Sequence, residues 1–324
     1  MKILVTGGAG FIGSHLTELL LHEGHTVTVI DNLVTGRSEN LQHLKGHPNL
    51  EFIIDTVLNE ERMRHLVPHH DIVMHLAAAV GVRWIIENPL LSIETNIRAT
   101  EVVLEAAETN GTKVLLASTS EVYGKNEKVP LTEDDDSIIG ATQITRWLYA
   151  NTKATDEFLA LAYYRDRKLP VVIVRYFNTV GPRQTGRYGM VVPRFVRQAL
   201  NGEPLTVYGN GEQARCFTDV RDAVRATAEL AMKPEAVGEV FNIGNPREIS
   251  IRALAELIIR MTGSRSTIRY VPYSEAYPAG FEDMRRRVPG VEKLRQLLGW
   301  APRIPLEENL ARIIDAMRTE VMNG

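Results

Sequence analysis

The chain has 324 residues, of which 44% are hydrophobic and 24% charged, and this composition excludes an intrinsically disordered protein. Its formal net charge of −3 provides no strong attraction for nucleic acids or for an anionic membrane surface. The single cysteine, Cys216, excludes an internal disulfide and is typical of a reducing compartment, and no apolar run reaches the roughly 18 residues of a membrane span. We therefore expect a cytoplasmic protein that acts on a small molecule, with no nucleic-acid or membrane partner.

The first half of the chain alternates between short β-branched runs and amphipathic segments. Strands are predicted at residues 2–5, 25–30, 50–54, 71–76, 113–117 and 171–175. The helices between them include residues 11–23, 92–109 and 147–167. Strands that alternate with helices of this length are joined by right-handed crossovers. The pattern therefore predicts an α/β fold with a doubly wound parallel sheet and a ligand site beyond the carboxyl ends of its strands.

The pattern changes after Arg175, where a stretch rich in glycine and proline is followed by helices and a few short strands. The clearest of these helices are predicted at residues 250–262 and 305–318. We therefore predict two domains, a sheet domain of residues 1–175 and a smaller C-terminal lobe of residues 176–324. Segments near residues 218–244 are expected to return to the sheet.

A glycine-rich turn follows the first predicted strand directly. Gly8–Gly13 matches the pattern G-x-G-x-x-G, and Gly7 adds a further glycine to the same turn. The turn follows a strand, opens a helix and precedes a strand that ends in Asp31, which is the context that makes the motif specific for a dinucleotide. Such glycines let the backbone approach a pyrophosphate, and the carboxylate can bond both ribose hydroxyls and would repel a 2′-phosphate. We therefore predict NAD, rather than NADP, as the cofactor.

A tyrosine and a lysine four residues apart, Tyr149 and Lys153, share one face of a predicted helix. A phenol with a pKa near 10 is a poor base at neutral pH, but an adjacent cation stabilises the phenolate. Upstream, Ser118, Thr119 and Ser120 follow the end of a predicted strand. Hydroxyl groups at this edge of the sheet are well placed to hydrogen-bond the alcohol of a substrate. The combination predicts a base that removes the proton of an alcohol.

These motifs together resemble the extended short-chain dehydrogenase/reductases of the nucleotide-sugar epimerase/dehydratase group. The resemblance covers essentially the whole chain and also rests on His75–Ala78, Asn96, Arg175–Arg183 and Leu205–Gly209. It implies a Rossmann-type sheet with a smaller substrate-binding lobe. It also implies bound NAD, which takes a hydride from C4 of a UDP-sugar and later returns it, and a homodimer formed through helices 92–109 and 147–167.

The resemblance assigns roles to individual residues. Tyr149 is the base for the C4 hydroxyl, Lys153 lowers its pKa and holds the nicotinamide ribose, and Thr119 orients the alcohol. The implied catalytic residues are Tyr149, Lys153, Thr119, Ser120, Glu121 and Arg287. The implied cofactor-binding residues are Gly7, Gly10, Phe11, Ile12, Gly13, Asp31, Asn32, Asp55, Leu76, Ala77, Ala78, Asn96, Ser118, Tyr149 and Lys153. The implied substrate-binding residues are Arg83, Asn178, Val192, Tyr208, Arg215 and Arg287. We expect no metal, because the histidines lack ligand spacing with carboxylates or cysteines.

The fate of the 4-keto sugar separates three reactions. A ketone at C4 acidifies the C5 proton and makes a C6 carboxylate a β-keto acid, so epimerisation, 4,6-dehydration and decarboxylation are all open. Simple 4-epimerases usually have a small residue where this chain has Glu121, and 4,6-dehydratases have Thr-Asp-Glu. The sequence Thr119-Ser120-Glu121 resembles UDP-glucuronate decarboxylases, although GDP-mannose dehydratases share it. Ile138–Tyr149 and Gly280–Pro289 also resemble decarboxylases, and the latter places Arg287 near the carboxylate and C5.

Two arginine positions keep alternatives open. The segment Ala79–Trp84 replaces the Ser-Pro-Pro-x-Tyr of decarboxylases and resembles 4-epimerases, so Arg83 either faces a uronate carboxylate or caps a loop. Arg285–Arg287 could also be a solvated basic loop. Our first hypothesis is an NAD-dependent UDP-glucuronic acid decarboxylase giving UDP-4-keto-xylose, UDP-xylose or both. The second is a UDP-glucose or UDP-glucuronate 4-epimerase and the third a 4,6-dehydratase. A non-catalytic NAD-binding scaffold is disfavoured by the Tyr149/Lys153 pair.

Overall fold

A seven-stranded parallel sheet forms the centre of the computed structural model. The structure describes residues 1–186, 190–276, 284 and 286–323, except for the side chains of residues 82, 83 and 320–323. In chain order the strands are β1 Lys2–Thr6, β2 Thr26–Asp31, β3 Leu50–Ile54, β4 Ile72–His75, β5 Lys113–Thr119, β6 Val171–Tyr176, β7 Thr179–Val180, β8 Leu205–Tyr208, β9 Ala214–Cys216, β10 Thr218–Asp219, β11 Val240–Ile243, β12 Glu248–Ser250 and β13 Ile268–Val271. The order of strands across the large sheet is β11-β6-β5-β4-β1-β2-β3. This arrangement confirms the predicted doubly wound parallel sheet.

The helices are α1 Phe11–His22, α2 Glu60–Leu66, α3 Val82–Glu87, α4 Pro89–Glu108, α5 Leu148–Arg167, α6 Val191–Leu200, α7 Val220–Met232, α8 Ile251–Thr262, α9 Tyr273–Ala276, α10 Glu292–Leu298 and α11 Leu306–Asn323. Their ends follow local chemistry. Ser250 accepts a hydrogen bond from the Ala253 backbone N–H and caps α8, which ends at Gly263 in the left-handed conformation. Helix α4 begins three residues before the predicted start, because Pro89 suits a first turn. Among the described residues, no helix is long and apolar enough to cross a lipid bilayer.

The sheet is buried on both faces because side chains of a strand alternate between them. In β1, Ile3 and Val5 belong to one apolar core, and Leu4 belongs to the other. The first core is shared with α1 and α7, and the second with α4 and α5. Continuous apolar runs such as that of β6, all of whose residues are buried, therefore form central strands.

Strand order reverses between β1 and β4. From β1 the chain runs outward through β2 and β3 on one side, and β4, β5 and β6 continue on the other. Because neighbouring connections leave this point on opposite faces, a crevice opens at the carboxyl ends of β1 and β4. The glycine-rich turn follows β1, and Leu76–Ala78 follows β4, so both segments border the crevice.

The C-terminal part contains a third apolar core, formed by residues such as Phe195 of α6, Leu254 of α8 and Leu310 of α11. The small strand pairs β8/β13 and β9/β12 also lie in this part of the chain. The segment near residues 218–244 lies partly against the large sheet, because α7 contributes to its first core and β11 pairs with β6. The division into domains after residue 175 stays a prediction.

Candidate active site

A cavity of about 630 Å³ extends above the carboxyl ends of the central strands. Its walls come from the turn after β1, the segments after β2 to β6, the start of α5 and the C-terminal part. The sequence-predicted residues that line it are Gly7, Gly10, Phe11, Ile12, Gly13, Asp31, Asn32, Asp55, Leu76, Ala77, Ala78, Ser118, Thr119, Ser120, Glu121, Tyr149, Asn178, Val192, Tyr208, Arg215 and Arg287. The fold thus brings together residues that are up to 280 positions apart, from Gly7 to Arg287.

The glycine-rich turn packs against neighbouring backbone more closely than side chains would permit. Gly7 has a φ of +70°, and a Cβ atom there would lie 2.8 Å from the Ala77 backbone nitrogen. A Cβ at Gly13 would lie 2.2 Å from the Gly7 carbonyl oxygen. Helix α1 begins at Phe11, so its N-terminal N–H groups are next to the cavity wall. A close backbone approach beside a helix N-terminus fits a pyrophosphate.

Asp31 is held rigidly at the end of β2. Its two carboxylate oxygens accept hydrogen bonds from the backbone N–H groups of Ala9, at 3.0 Å, and Leu33, at 2.8 Å. Burial raises the pKa of Asp31 above its ordinary value, although these backbone donors act against the rise. The carboxylate also lines the cavity, where a ligand can reach it. A fixed pair of acceptors of this kind fits the two hydroxyls of a ribose, and the residues present therefore suit NAD.

Two predicted cofactor residues lie behind the cavity wall instead of lining it. The Asn96 side chain accepts a hydrogen bond from the Ala79 N–H at 2.7 Å and donates to the Thr152 hydroxyl at 3.3 Å. It therefore joins the segment after β4 to α5. Lys153 is buried, and its ammonium donates to Asp156 at 2.8 Å. Direct contact of Asn96 and Lys153 with the cofactor stays a prediction.

Tyr149 lies in the first turn of α5 and faces the cavity with the hydroxyls that follow β5. The Thr119 hydroxyl accepts a hydrogen bond from the Glu121 N–H at 3.2 Å and so caps the short helical turn after β5. The Ser118 hydroxyl donates to Glu157, which also pairs with Arg175. Ser118 is therefore engaged in a buried network, while Thr119 and Ser120 line the same cavity as Tyr149.

The pKa of Tyr149 moves in the direction opposite to the one expected from its lysine neighbour. Burial raises the pKa of the hydroxyl, and the negative charges of Glu121 and Asp156 raise it further. Lys153 is not among the groups that shift this pKa, and its ammonium is paired with the Asp156 carboxylate at 2.8 Å. The sequence motif predicted that Tyr149 and Lys153 share one helix, as they do in α5, but it did not indicate the buried carboxylate of Asp156.

Glu121 lies between two arginines. Its oxygens are 2.5 Å from an Arg146 Nη1 and 2.8 Å from an Arg287 Nη1, and the same Arg287 nitrogen is 3.3 Å from the Ser120 hydroxyl. Burial alone would raise the pKa of Glu121, but the charges and hydrogen bonds of the two arginines outweigh this effect and lower it far below its ordinary value. Glu121 is therefore an ionised acceptor rather than a proton donor. We call these three side chains the Arg146–Glu121–Arg287 cluster.

Arg146 is a site residue that sequence reasoning did not single out. It is buried, lines the cavity and precedes Tyr149 by three residues, in a short helical turn that leads into α5. The available signal was the segment Ile138–Tyr149, whose resemblance to decarboxylases included this arginine. Gly140 supports the segment, since a Cβ atom there would lie 2.1 Å from the Trp147 indole nitrogen.

The far end of the cavity is formed by the C-terminal part. Asn178, Val192, Tyr208 and Arg215 all line it, as the sequence predicts. Arg194 of α6 also lines it, and its guanidinium lies 4.2 Å from the centroid of the Tyr208 ring. Sequence reasoning missed this arginine, although it follows Val192 within one helical turn. A cationic and aromatic wall fits the negative charge and the flat base of a nucleoside diphosphate.

Two predicted segments are only partly described. The side chain of Arg83 lies outside the described residues, as do residues 277–283 and 285 of the stretch before Pro289. Arg286 is exposed and pairs with Glu248 at 2.6 Å, as a solvated loop residue does. Arg287 is buried in the cluster, so a solvated loop is the wrong description of it. Within the described part of the chain, no group of three or more histidine, cysteine or carboxylate side chains could hold a metal ion.

Three features define the class of NAD-dependent sugar-nucleotide enzymes of the extended short-chain dehydrogenase/reductase type. They are the parallel sheet, the glycine-rich turn at its switch point and a cavity wall that contains Tyr149 and suits a nucleotide. The chain belongs to the GDP-mannose 4,6-dehydratase family, whose sequence model matches residues 4–313. Its relatives and structural neighbours are NAD-dependent decarboxylases, epimerases and dehydratases of sugar nucleotides, which confirms the predicted family, fold, enzyme class and cofactor.

Three known proteins indicate the range of this family. UDP-N-acetyl-α-D-glucosaminuronate decarboxylase of Bacillus cytotoxicus is 46% identical to the chain over 318 residues, which are 98% of each protein. UDP-glucuronic acid decarboxylase 1 of Xenopus tropicalis is 41% identical over 99% of the chain and 73% of the relative. The structure of UDP-glucuronic acid 4-epimerase of Bacillus cereus with UDP-glucuronic acid and NAD is 32% identical, with a TM-score of 0.89 over 99% of this chain and 100% of that one.

Proposed function

We propose that this protein is an NAD-dependent decarboxylase of UDP-linked uronic acids, which oxidises C4 of UDP-glucuronic acid and releases CO₂ to give UDP-4-keto-xylose, UDP-xylose or both. The relatives from Bacillus cytotoxicus and Xenopus tropicalis support this reaction, since the names of both describe decarboxylation of a UDP-uronic acid. The name of the first describes a 2-acetamido sugar. UDP-N-acetylglucosaminuronic acid is therefore the second substrate to test.

The observation that carries the proposal is the Arg146–Glu121–Arg287 cluster in the wall that also contains Tyr149. Two guanidinium groups and one carboxylate have a formal sum of +1, which favours the C6 carboxylate of a uronic acid over the neutral hydroxymethyl group of a hexose. Because Glu121 stays ionised, it moderates the attraction of both arginines for that carboxylate. A carboxylate held too strongly would be stabilised in the ground state, and this would slow the loss of CO₂.

In the proposed reaction, the Tyr149 oxygen takes the proton of the C4 hydroxyl, and the Thr119 hydroxyl orients that alcohol. Bound NAD supplies the oxidant for C4, and we propose the cofactor contacts predicted from the sequence, led by the glycine-rich turn and Asp31. The ketone then withdraws the electron pair that the C5–C6 bond releases, so CO₂ leaves and C5 takes a proton. We propose that Ser120 and Arg287, which are joined by a hydrogen bond of 3.3 Å, stabilise the developing enolate.

The decisive experiment incubates the purified protein and NAD with UDP-glucuronic acid, with UDP-N-acetylglucosaminuronic acid and with UDP-glucose, and measures the products by mass spectrometry. A product lighter by the mass of CO₂ supports the proposal. An unchanged mass with inverted C4 identifies a 4-epimerase instead, the function that the Bacillus cereus structural neighbour favours. Loss of water identifies a 4,6-dehydratase.

We also propose that the protein is a cytoplasmic homodimer. Helices α4 and α5 pack side by side, and Phe158 of α5 is 76% exposed, while Leu90 of α4 is 67% exposed. Large apolar side chains on a surface helix pair suit contact with a second copy of the same pair. Analytical ultracentrifugation is expected to give twice the chain mass, and a monomer at micromolar concentration would contradict the proposal. Cell fractionation tests the location.

A further inference from the structure

The lysine of the Tyr149/Lys153 motif has a carboxylate partner in the protein interior. The Lys153 ammonium and the Asp156 carboxylate are 2.8 Å apart, three residues from each other on α5, and their side chains are 3% and 0% exposed. A buried ion pair of this kind is costly to form unless its geometry is good, and the loss of one partner leaves an uncompensated charge. Asp156 therefore determines the charge around Lys153, the lysine of the motif that the proposed function uses.

Among the residues that the structure describes, few charged groups lie close enough to change the charge around this pair. The Thr100 hydroxyl of α4 lies against the Asp156 carboxyl, and Glu157 is its charged neighbour on α5. Glu157 is itself bound by Arg175 of β6 and by the Ser118 hydroxyl. His75 of β4 lies near Lys153, and burial lowers its pKa to about 3, so the imidazole is neutral at physiological pH. The nearest compensation for the lysine is consequently Asp156.

Pairing changes the charge that Tyr149 experiences. The Lys153 ammonium and the Asp156 carboxylate together have no net charge. Burial raises the pKa of the Asp156 carboxyl, and the lysine opposes that rise. The negative charge of Glu121 also raises the pKa of Tyr149, and Glu121 is bound by Arg146 of the preceding turn and by Arg287. Two carboxylates therefore act on the tyrosine, and each of them has a basic partner.

We propose that Asp156 is a positioning residue: its carboxylate holds the Lys153 ammonium inside α5 and cancels its charge, so Tyr149 becomes a base only at a more alkaline pH than Lys153 alone would allow. The proposal rests on the assignment of Tyr149 as the base in the proposed function. It does not depend on the identity of the sugar or on the fate of the C4 ketone.

The experiment compares wild-type enzyme with Asp156→Asn and with the matched control Asp166→Asn, which removes the same charge from the exposed end of α5. In the NAD-loaded enzyme, the tyrosinate absorbance of Tyr149 is isolated by subtracting the spectrum of the corresponding Tyr149→Phe protein at each pH. We expect Asp156→Asn to lower the midpoint of this titration by about one pH unit or more, and Asp166→Asn to leave it unchanged. This readout needs no sugar, so it stays valid if the proposed decarboxylation fails.

The pH dependence of kcat/KM provides the second readout. Its acidic limb is expected to move with the absorbance midpoint in Asp156→Asn, which gives about tenfold more activity than wild type on the acidic side of the limb. Asp156→Glu is expected to restore the wild-type profile, because it returns the charge. If Asp156→Asn does not fold, Asp156→Ser replaces it as a smaller neutral side chain. An unmoved midpoint in the neutral variant, or an equal shift in Asp156→Glu, overturns the proposal.

Discussion

The two ends of the cavity are constructed differently. At the dinucleotide end, the shape comes from backbone, because Gly7 and Gly13 bring segments closer than side chains would permit and Asp31 is fixed by two backbone N–H groups. At the sugar end, the shape comes from charged side chains. Glu121 meets Arg287 from 166 residues away and Arg146 from 25 residues away. In the proposed function, binding of the cofactor thus relies on close backbone packing, while the choice of reaction relies on ion pairs between distant segments.

The largest expected effect is a loss of activity on substitution of Tyr149. Tyr149→Phe removes only the hydroxyl, so it should reduce kcat by about 10²–10⁴-fold and leave the affinities for NAD and UDP-glucuronic acid nearly unchanged. Single-turnover kinetics and isothermal titration calorimetry measure the two quantities. Full activity in this variant would refute the assignment of the base, and a parallel loss of both affinities would indicate a structural role.

At the dinucleotide end, the addition of a single methyl group should lower both stability and NAD affinity. Gly13→Ala places a Cβ 2.2 Å from the Gly7 carbonyl oxygen, whereas Gly10→Ala places one at 3.1 Å from the same atom. We expect Gly13→Ala to lower the free energy of unfolding by about 1–3 kcal/mol and to weaken NAD binding, with a smaller effect for Gly10→Ala. Denaturant titration and calorimetry with NAD test this order. Equal effects would show that the turn adapts and that its close packing is unimportant.

At the sugar end, the loss of one arginine should lower the free energy of unfolding. Arg146→Met removes a buried charged hydrogen bond of Glu121, which should cost about 2 kcal/mol in the free energy of unfolding. The matched control is Arg62→Met at the more exposed Arg62–Asp55 pair, where less than about 1 kcal/mol is expected. Chemical denaturation at one pH measures both. Should the two variants lose equal stability, burial of the cluster would not matter to its strength.

The smallest expected effect is a change in pH dependence. The pKa of Glu121 is lower in the folded protein than its ordinary value of 4.5, so its stabilising contribution is complete above that pH and is lost as the pH falls towards the folded value. Glu121→Gln lacks this titration. The stability gap between wild type and Glu121→Gln should therefore narrow as the pH decreases from about 5 to about 3. A constant gap across this range would contradict an ionised Glu121.

Much of the fold could be predicted because its signals are local. The strand predicted at residues 50–54 is observed at Leu50–Ile54, and the helix predicted at 147–167 begins at Leu148 after one short helical turn. The end of the last helix was predicted less well: α11 continues to Asn323, five residues beyond the expected end. No proline or glycine follows residue 318 closely enough to signal a stop, so periodicity alone set the predicted boundary.

Spacing within a few residues was enough to specify the doubly wound sheet, the glycine-rich turn, the acidic residue at the end of β2 and the placement of Tyr149 and Lys153 on one helix. Which charges meet was visible only in the folded chain: Arg146 contacts Glu121, Lys153 contacts Asp156, and Arg194 stacks on the Tyr208 ring. The physical reason is that backbone conformation depends on nearby residues. The partner and pKa of a buried charge depend instead on the groups that distant segments place around it after water has been excluded.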